Sequence, residues 1–250
     1  MSDLGVELEG RVARVEIQRG PANFFDMGLI RGLADTFHEL AEGDRCRAIV
    51  LCSEGKHFCA GADFSGRGQG DAPGDLYAEA VRLFEAPLPF VAAIQGAAIG
   101  GGLGLALAAD FRVACAEARF AANFARLGFH QGFGLSVTLP ELVGPTAAAE
   151  LLYTGRRVKG EEALALGLCS RLVPREELRE AAHALAQEIA LSAPLAVRSI
   201  RRTLRGNLAG RIREATDHEQ SEQDRLRKTA DFAEGVKAMA ERREPRFEGK

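Results

Sequence analysis

The sequence predicts an α/β fold in which parallel strands alternate with helices. Short apolar runs at residues 48–52, 90–95 and 111–115 have the composition of strands that are buried on both faces. Segments with apolar residues at helical spacing separate these runs. The order strand, helix, strand, helix is typical of a parallel sheet. With 250 residues, the chain is long enough for one large domain with a modest appendage.

The N-terminal part begins with two predicted strands. Residues 6–9 and 12–17 alternate apolar and polar side chains, and Gly10 marks the turn between them. Asp26 is positioned to cap a helix that extends to residue 40. A second helix is predicted at residues 76–84, after a stretch at residues 65–74 that is rich in Gly and Asp.

From residue 140 onward the pattern becomes helical. Helices are predicted at residues 145–153, 161–166, 174–191 and 194–204, with a short strand at residues 168–173. The C-terminal segment is charged, and its basic run at residues 198–205 is expected to form a solvated face.

Composition and charge exclude several classes of protein. Hydrophobic residues make up 46% and charged residues 27%, which excludes disorder and collagen-like repeats. The net charge of −3 provides no bulk attraction for nucleic acid. The five cysteines are odd in number and never form CxxC, so neither a disulfide framework nor a zinc site is expected. The N-terminus does not resemble a signal peptide, and glycines interrupt the longest apolar stretch, so we expect a cytoplasmic protein without a membrane span.

Common catalytic motifs are absent from the sequence. The glycine cluster at residues 100–104 lacks the third glycine of a dinucleotide-binding fingerprint. The sequence contains neither a GxxxxGK[ST] phosphate loop nor a GxSxG elbow, and its histidines lack metal-ligand spacing. These absences argue against a Rossmann enzyme, a P-loop NTPase and a serine hydrolase.

Two glycine-rich turns remain as candidates for chemistry, and each follows a predicted strand. The first reads KHFCAGADF over residues 56–64, and the second reads VAAIQGAAIGGGL over residues 91–103. Small residues in such turns permit either close packing or the approach of a ligand to the backbone. Two turns of this kind can aim two N–H groups at one oxygen and so form an oxyanion hole.

These two turns resemble those of the crotonase (enoyl-CoA hydratase/isomerase) superfamily. Further segments in the family's order are Pro21-Ala22-Asn23, residues 47–51, the helix at residues 145–155 with Ala163 and residues 166–168, and residues 232–247. The resemblance therefore extends over essentially the whole chain.

The resemblance implies a spiral of ββα units over residues 1–190 and a helical region over residues 191–250 that packs between subunits of a homotrimer or a dimer of trimers. It implies an acyl-CoA thioester ligand, with coenzyme A entering as part of the substrate, no separate cofactor and no metal. By resemblance, the N–H groups of Ala60 and Gly101 hold the thioester oxygen. The other residues expected to contact the ligand are Lys56, Gly61, Ala62, Asp63, Phe124 and Phe133.

The chain departs from the family at the positions that transfer protons. Enoyl-CoA hydratases use two glutamates, whose positions match Gly104 and Phe124 here, and other members use an aspartate at the position of Gly132. None of these three residues can transfer a proton. The resemblance therefore implies an enzyme that stabilises an acyl-CoA enolate, of the lyase or isomerase type, and leaves its reaction open.

His130 is the candidate replacement for the missing acid or base. It lies close to the vacated positions in sequence, and histidine transfers protons near neutral pH. The alternative is that His130 hydrogen-bonds the backbone of a glycine-rich turn. Glu117 and Glu141 are the nearest carboxylates, and Glu141 is expected at a helix start. A catalytically silent acyl-CoA binder or partner subunit remains the competing function.

Overall fold

The structure is a computed structural model, and it describes residues 3–63 and 73–250. Most of the Gly- and Asp-rich stretch at residues 65–74 lies outside the described residues. The strands are β1 (Leu4–Glu9), β2 (Val12–Ile17), β3 (Ala48–Ser53), β4 (Phe90–Ile94), β5 (Ala97–Ile99), β6 (Phe111–Ala114), β7 (Arg119–Ala121), β8 (Val158–Lys159) and β9 (Arg171–Leu172). The helices are α1 (Met27–Leu40), α2 (Pro73–Glu85), α3 (Gly101–Ala108), α4 (Leu135–Val143), α5 (Pro145–Thr154), α6 (Gly160–Leu166), α7 (Leu178–Ala190), α8 (Pro194–Arg205), α9 (Leu208–Leu226) and α10 (Ala230–Glu241).

The strands form a large sheet and a small one. The large sheet has the order β1-β2-β3-β4-β6-β9, in which β1 is antiparallel to β2 and the later pairs are parallel. The small sheet has the order β5-β7-β8. The α/β prediction is therefore confirmed, and the predicted strands and helices recur with small changes at their ends. The small sheet was not predicted, and α4 begins at Leu135, before the helix start expected at Glu141.

The large sheet is covered on both faces, which explains why its central strands are wholly apolar. Ile49 and Leu51 of β3 belong to the larger core, which includes residues of α1, α2 and α3. Val50, which points to the opposite face, packs in a second cluster with Leu178 and Ala182 of α7. A strand with helices on both sides has no polar face, because its alternating side chains enter two different cores.

The basic run in α8 is not the solvated face that its sequence suggests. Arg201 and Arg205 point inward, and their guanidinium groups lie 2.9 Å from Oδ1 of Asp110. Arg201 also donates to the carbonyl of Ala86 at 2.6 Å, and Arg205 donates to that of Ala108 at 2.8 Å. These contacts attach α8 to the core. The prediction was therefore wrong at these two positions.

Helices α9 and α10 also pack on the core of their own chain. Helix α9 lies along α2 and α4, and α10 contacts the 3-10 turn Ala125–Leu127. The side chains of α9 that point inward are Ile212, Thr216, Glu219 and Gln223. The C-terminal helices thus reach the segment that follows β7, where the predicted acid/base positions lie.

The cysteines and the helices also bear on disulfide bonds and on membrane spans. All five cysteines are free and buried, as expected for apolar thiols outside any disulfide. Within residues 3–63 and 73–250, no helix is both long and apolar enough to cross a bilayer.

Candidate active site

The first glycine-rich turn is held in place by the segment that contains Asn23. This side chain is fully buried, and its amide donates to the carbonyls of Glu54 and His57 at 2.9 and 2.7 Å. The side-chain amide of Gln95 also donates to the carbonyl of His57, at 3.0 Å. Buried amides that satisfy loop carbonyls in this way fix the path of the loop. The Pro-Ala-Asn motif thus acts as a support for the first turn.

The two turns are joined directly through their backbones. Cys59 donates to the carbonyl of Ala97 at 2.8 Å, and Ile99 donates to the carbonyl of Cys59 at 3.1 Å. A Cβ atom on Gly102 would lie 2.2 Å from the carbonyl oxygen of Cys59, and one on Gly96 would lie 2.1 Å from another backbone carbonyl. Small residues are therefore required here for close approach of two backbones.

The N–H group of Ala60 is already used within the protein. It donates to the carbonyl oxygen of Ala22 at 3.0 Å, so the Pro-Ala-Asn motif already supplies its acceptor. An N–H group with a backbone acceptor cannot also stabilise a ligand oxygen without breaking that bond. In this structure, the N–H expected to donate to the ligand therefore has a backbone acceptor of its own.

Unlike the N–H group of Ala60, those of Ala62 and Gly101 have no backbone acceptor among the described residues. Phe25 forms an isolated parallel bridge with Ala62, in which Phe25 donates to the carbonyl of Gly61 at 3.0 Å. Gly101 is the first residue of α3, where backbone N–H groups have no partner inside the helix. Each turn therefore contains an N–H group, that of Ala62 or of Gly101, without an acceptor in the part of the chain that the structure describes.

Other residues of the first turn occupy its outer side. Lys56 is exposed, and Asp63 is half-buried. The Nδ1 atom of His57 accepts from the N–H of Ala97 at 3.3 Å. Burial, with the charges of Lys56 and Arg175, lowers the pKa of His57, so its ring remains neutral in this contact.

Phenyl rings cover the first turn of α3. A Cβ atom on Gly101 would lie 2.3 Å from Cζ of Phe25, and one on Gly104 would lie 2.5 Å from Cβ of Phe133. The rings of Phe25 and Phe133 meet edge to face, with centroids 5.8 Å apart. Phe124 is also buried, and its ring approaches Gly100. The expected ligand contacts Phe124 and Phe133 thus lie beside Gly101 in an apolar surrounding.

Polar groups surround Gly132, the position at which other members of the family use an aspartate. A Cβ atom on Gly132 would lie 2.0 Å from the hydroxyl oxygen of Tyr77 and 2.6 Å from Nε2 of Gln223. Tyr77 donates to Oε1 of Gln223 at 2.9 Å. Burial raises the pKa of Tyr77, so this hydroxyl stays protonated at neutral pH. Among residues 3–63 and 73–250, the atoms nearest to this position belong to Tyr77 and Gln223 and not to a carboxylate.

His130 lies at the edge of this polar group. Its Nδ1 atom is 2.9 Å from the carbonyl oxygen of Gln131, and its ring meets the ring of His218 on α9, with centroids 5.8 Å apart. These contacts match the alternative in which His130 stabilises a glycine-rich turn. Glu141 lies inside α4 instead of at its start, and it pairs with Arg211.

Sequence reasoning missed Glu219, which is a fully buried carboxylate near the site. It accepts hydrogen bonds from the backbone N–H groups of Gly134 and Ser136, both at 2.9 Å. Burial raises its pKa, against the effect of these hydrogen bonds. The only signal in the sequence is the spacing of the inward residues of α9, where Glu219 continues the stripe that starts at Ile212.

Comparisons with known proteins extend over the whole fold. The sequence model of the enoyl-CoA hydratase/isomerase family matches residues 7–250. A carnitinyl-CoA dehydratase from Salmonella heidelberg (strain SL476) is 33% identical over 251 residues, which cover 96% of this chain and 96% of that relative.

Two solved structures lead to the same family. An enoyl-CoA hydratase/isomerase from Pseudoalteromonas atlantica T6c is 30% identical, with a TM-score of 0.90 over 99% of this chain and 100% of that one. An enoyl-CoA hydratase from Mycobacterium avium subsp. paratuberculosis K-10 is 26% identical, with a TM-score of 0.87 over 99% of each chain. With a family model that matches almost every residue and a fold that superposes over its full length, the chain belongs to the enoyl-CoA hydratase/isomerase family of the crotonase superfamily.

Proposed function

We propose that this protein binds an acyl-CoA thioester and stabilises its enolate with the N–H groups of Ala62 and Gly101. The observation that carries the proposal is that these two N–H groups are unpaired among the described residues and lie on two turns joined by backbone hydrogen bonds. Ala62 takes the role expected for Ala60, because the N–H of Ala60 is bonded to Ala22. Lys56, Gly61 and Asp63 remain candidate contacts for the rest of the ligand.

The two donors act on the thioester oxygen. Removal of a substituent from the α-carbon transfers an electron pair toward this oxygen, which becomes negatively charged. Donors that are already oriented stabilise that charge without reorganisation, and the loss of one typically costs about 3–4 kcal/mol of transition-state stabilisation. Isomerisation, hydration, decarboxylation and C–C cleavage all pass through this enolate.

The apolar surroundings distinguish between these reactions. A positioned general acid or base contributes about 10²–10⁴-fold, and positions 104, 124 and 132 carry none. Addition or loss of water needs such a group. The dehydration of carnitinyl-CoA, after which one relative is named, is therefore not the reaction proposed here. In decarboxylation, the electron pair of the broken C–C bond enters the enolate and CO2 leaves, so no protein base is needed. A water molecule then donates a proton to the α-carbon and completes the product. Reactions whose leaving group belongs to the substrate therefore fit this site best.

Deuterium uptake at the α-carbon after loss of CO2 tests the proposal, because the enolate takes up a deuteron from D2O. The protein is incubated with a panel of acyl-CoA thioesters in D2O, and mass spectrometry follows deuteration at the α-carbon and any loss of CO2. Ala62→Pro removes the N–H and is compared with Ala62→Gly, which keeps it. We expect turnover by the wild type and the glycine variant, with a loss of about 10²–10³-fold in the proline variant.

The competing function is a catalytically silent acyl-CoA binder or a partner subunit. It predicts thioester binding by calorimetry without deuteration or CO2 release from any member of the panel. An equal rate in the Ala62→Pro variant, with its fold intact by circular dichroism, would overturn the assignment of Ala62. The assembly proposed for either function is a homotrimer or a dimer of trimers.

A further inference from the structure

Phe133 fills the space above Gly104 on the first turn of α3. A Cβ atom on Gly104 would contact both the Cβ and the ring of Phe133, at 2.5 and 2.8 Å. Phe133 itself is 1% exposed. Its ring meets the ring of Phe25 edge to face, and Phe25 in turn covers Gly101. A thioester oxygen held at Gly101 therefore places the acyl group next to this wall of rings.

The backbone at Phe133 has a conformation that residues other than glycine rarely adopt. Its φ angle is +62°, and the following Gly134 has a φ angle of +72°. For a residue with a bulky side chain, such a value persists only where the surroundings enforce it. The helix that starts immediately afterwards, α4, fixes the position of Phe133 along the chain.

Helix α9 supplies the groups that enforce this conformation. Glu219 accepts from the N–H groups of Gly134 and Ser136, directly after Phe133. Gln223, one turn further along α9, donates to the carbonyl of His130 at 3.0 Å and accepts from Tyr77. The backbone is thus held on both sides of Phe133 by buried side chains from α9 and α2.

We propose that Phe133 sets the length of the acyl group, that the substrates are short-chain acyl-CoA thioesters, and that Glu219 and Gln223 are positioning residues that hold Phe133 over Gly104. The inference rests on the proposed function, since it assumes that the thioester binds at Gly101. A ring that is fixed from behind cannot move aside for a longer chain, because displacing it breaks hydrogen bonds of buried groups.

The test compares acyl-CoA thioesters that differ only in chain length. Calorimetry measures the affinity of the wild type for free coenzyme A, butyryl-CoA and octanoyl-CoA. We expect butyryl-CoA to bind more tightly than free coenzyme A, and octanoyl-CoA to bind at least about 10-fold more weakly than butyryl-CoA. Equal affinity for both thioesters in the wild type overturns the inference and leaves the proposed function intact. Thioesters that bind no better than free coenzyme A overturn both.

Phe133→Ala tests the role of the ring. Each methylene buried in the enlarged pocket contributes about four-fold in affinity, so octanoyl-CoA is expected to gain at least about 10-fold relative to butyryl-CoA. The matched control is Phe37→Ala, which removes an equally buried ring that packs on Phe90 away from the site. The control is expected to lower the melting temperature without changing the ratio of the two affinities. A ratio unchanged in Phe133→Ala overturns the inference.

Glu219→Gln tests the positioning role with the same ratio. We expect partial loss of chain-length discrimination, and no further loss when Glu219→Gln is added to Phe133→Ala, since both changes act through one ring. A merely structural Glu219 lowers the melting temperature and leaves the ratio unchanged. That result would overturn the positioning role.

Discussion

The side chain of Phe133 occupies the space beside Gly104 that a glutamate at position 104 would need. The distance of 2.5 Å between the Cβ atom of Phe133 and a Cβ atom built on Gly104 is shorter than real Cβ atoms approach. Glycine at position 104 and phenylalanine at position 133 are therefore coupled. A side chain at position 104 therefore requires Phe133 to move or to be replaced by a smaller residue.

This coupling predicts the outcome of restoring the two hydratase glutamates. Gly104→Glu with Phe124→Glu should unfold at a lower temperature and hydrate crotonyl-CoA poorly, because overpacking costs about 1–3 kcal/mol and a buried carboxylate adds to this. Adding Phe133→Ala should recover part of the stability and raise hydration above the wild-type rate. The measurements are thermal unfolding and the loss of enoyl absorbance. High activity of the double variant without Phe133→Ala would contradict the coupling.

The fold was predictable where a segment's own sequence carries the pattern. Residues 48–52 are apolar on both sides of the strand, and α1 has both a capping aspartate and an apolar stripe. The small sheet was not predictable, because β5 and β7 have three residues each and β8 has two. Strands this short do not reveal an alternation of side chains.

The sequence was enough to predict where the candidate site lies, but not which backbone N–H groups in it are free to donate hydrogen bonds. The glycine-rich turns mark where two backbones meet, and both were found in the sequence. Whether the N–H of Ala60 or of Ala62 is available depends on the carbonyl of Ala22, which belongs to a distant part of the chain. The position of Glu219 depends in the same way on how α9 packs. Such information lies in tertiary contacts and not in local patterns.

Gly101→Ala is expected to reduce stability through Phe25. The added Cβ would lie 2.3 Å from the ring of Phe25, so we expect a loss of about 1–3 kcal/mol in the free energy of unfolding. Phe25→Leu should relieve part of this loss. The control is Gly32→Ala in α1, where the Cβ meets only ordinary contact and helix propensity predicts a gain of about 0.5–1 kcal/mol. Urea unfolding measures all variants, and equal effects of the two alanines would refute the steric argument.

Glu219 should make stability depend on pH in a specific direction. Burial raises its pKa above the ordinary value of 4.5, so the native state holds a proton that the unfolded chain releases earlier. Its contribution is fully present below pH 4.5 and is lost as the pH rises through the raised pKa. Glu219→Gln, which does not titrate, should show a smaller decrease of stability as the pH rises above 4.5. A variant with the same slope as the wild type in urea unfolding would contradict this assignment.

His130→Ala is expected to affect stability and not the reaction. The ring of His130 contacts the carbonyl of Gln131 and the ring of His218, which is the arrangement of a residue that shapes a turn. The melting temperature should fall by a few degrees, as for a loss of about 1 kcal/mol, and α-deuteration should persist. His218→Ala, on the other side of the same contact, should have a similar effect. Loss of deuteration in His130→Ala alone would instead make His130 the acid or base.

Helix α8 presents apolar side chains on its outer surface. Ile200 and Leu204 are 59% and 82% exposed, while Arg201 and Arg205 attach the other side of the helix to Asp110. Adjacent exposed apolar side chains on a rigid helix mark an interaction surface. In the proposed trimer or dimer of trimers, this surface is the expected contact between subunits.

Charged substitutions on α8 test the assembly. Light scattering of the wild type should give a multiple of the 26.8 kDa chain mass that corresponds to a trimer or hexamer. Ile200→Glu with Leu204→Glu should shift the protein toward monomer, because burying unpaired carboxylates in an interface is unfavourable. Val6→Glu, an equivalent change at an exposed residue of β1, should leave the mass unchanged. A wild-type protein that remains at 26.8 kDa at all concentrations would rule out the assembly, and an unchanged oligomer in the double variant would place the contact elsewhere.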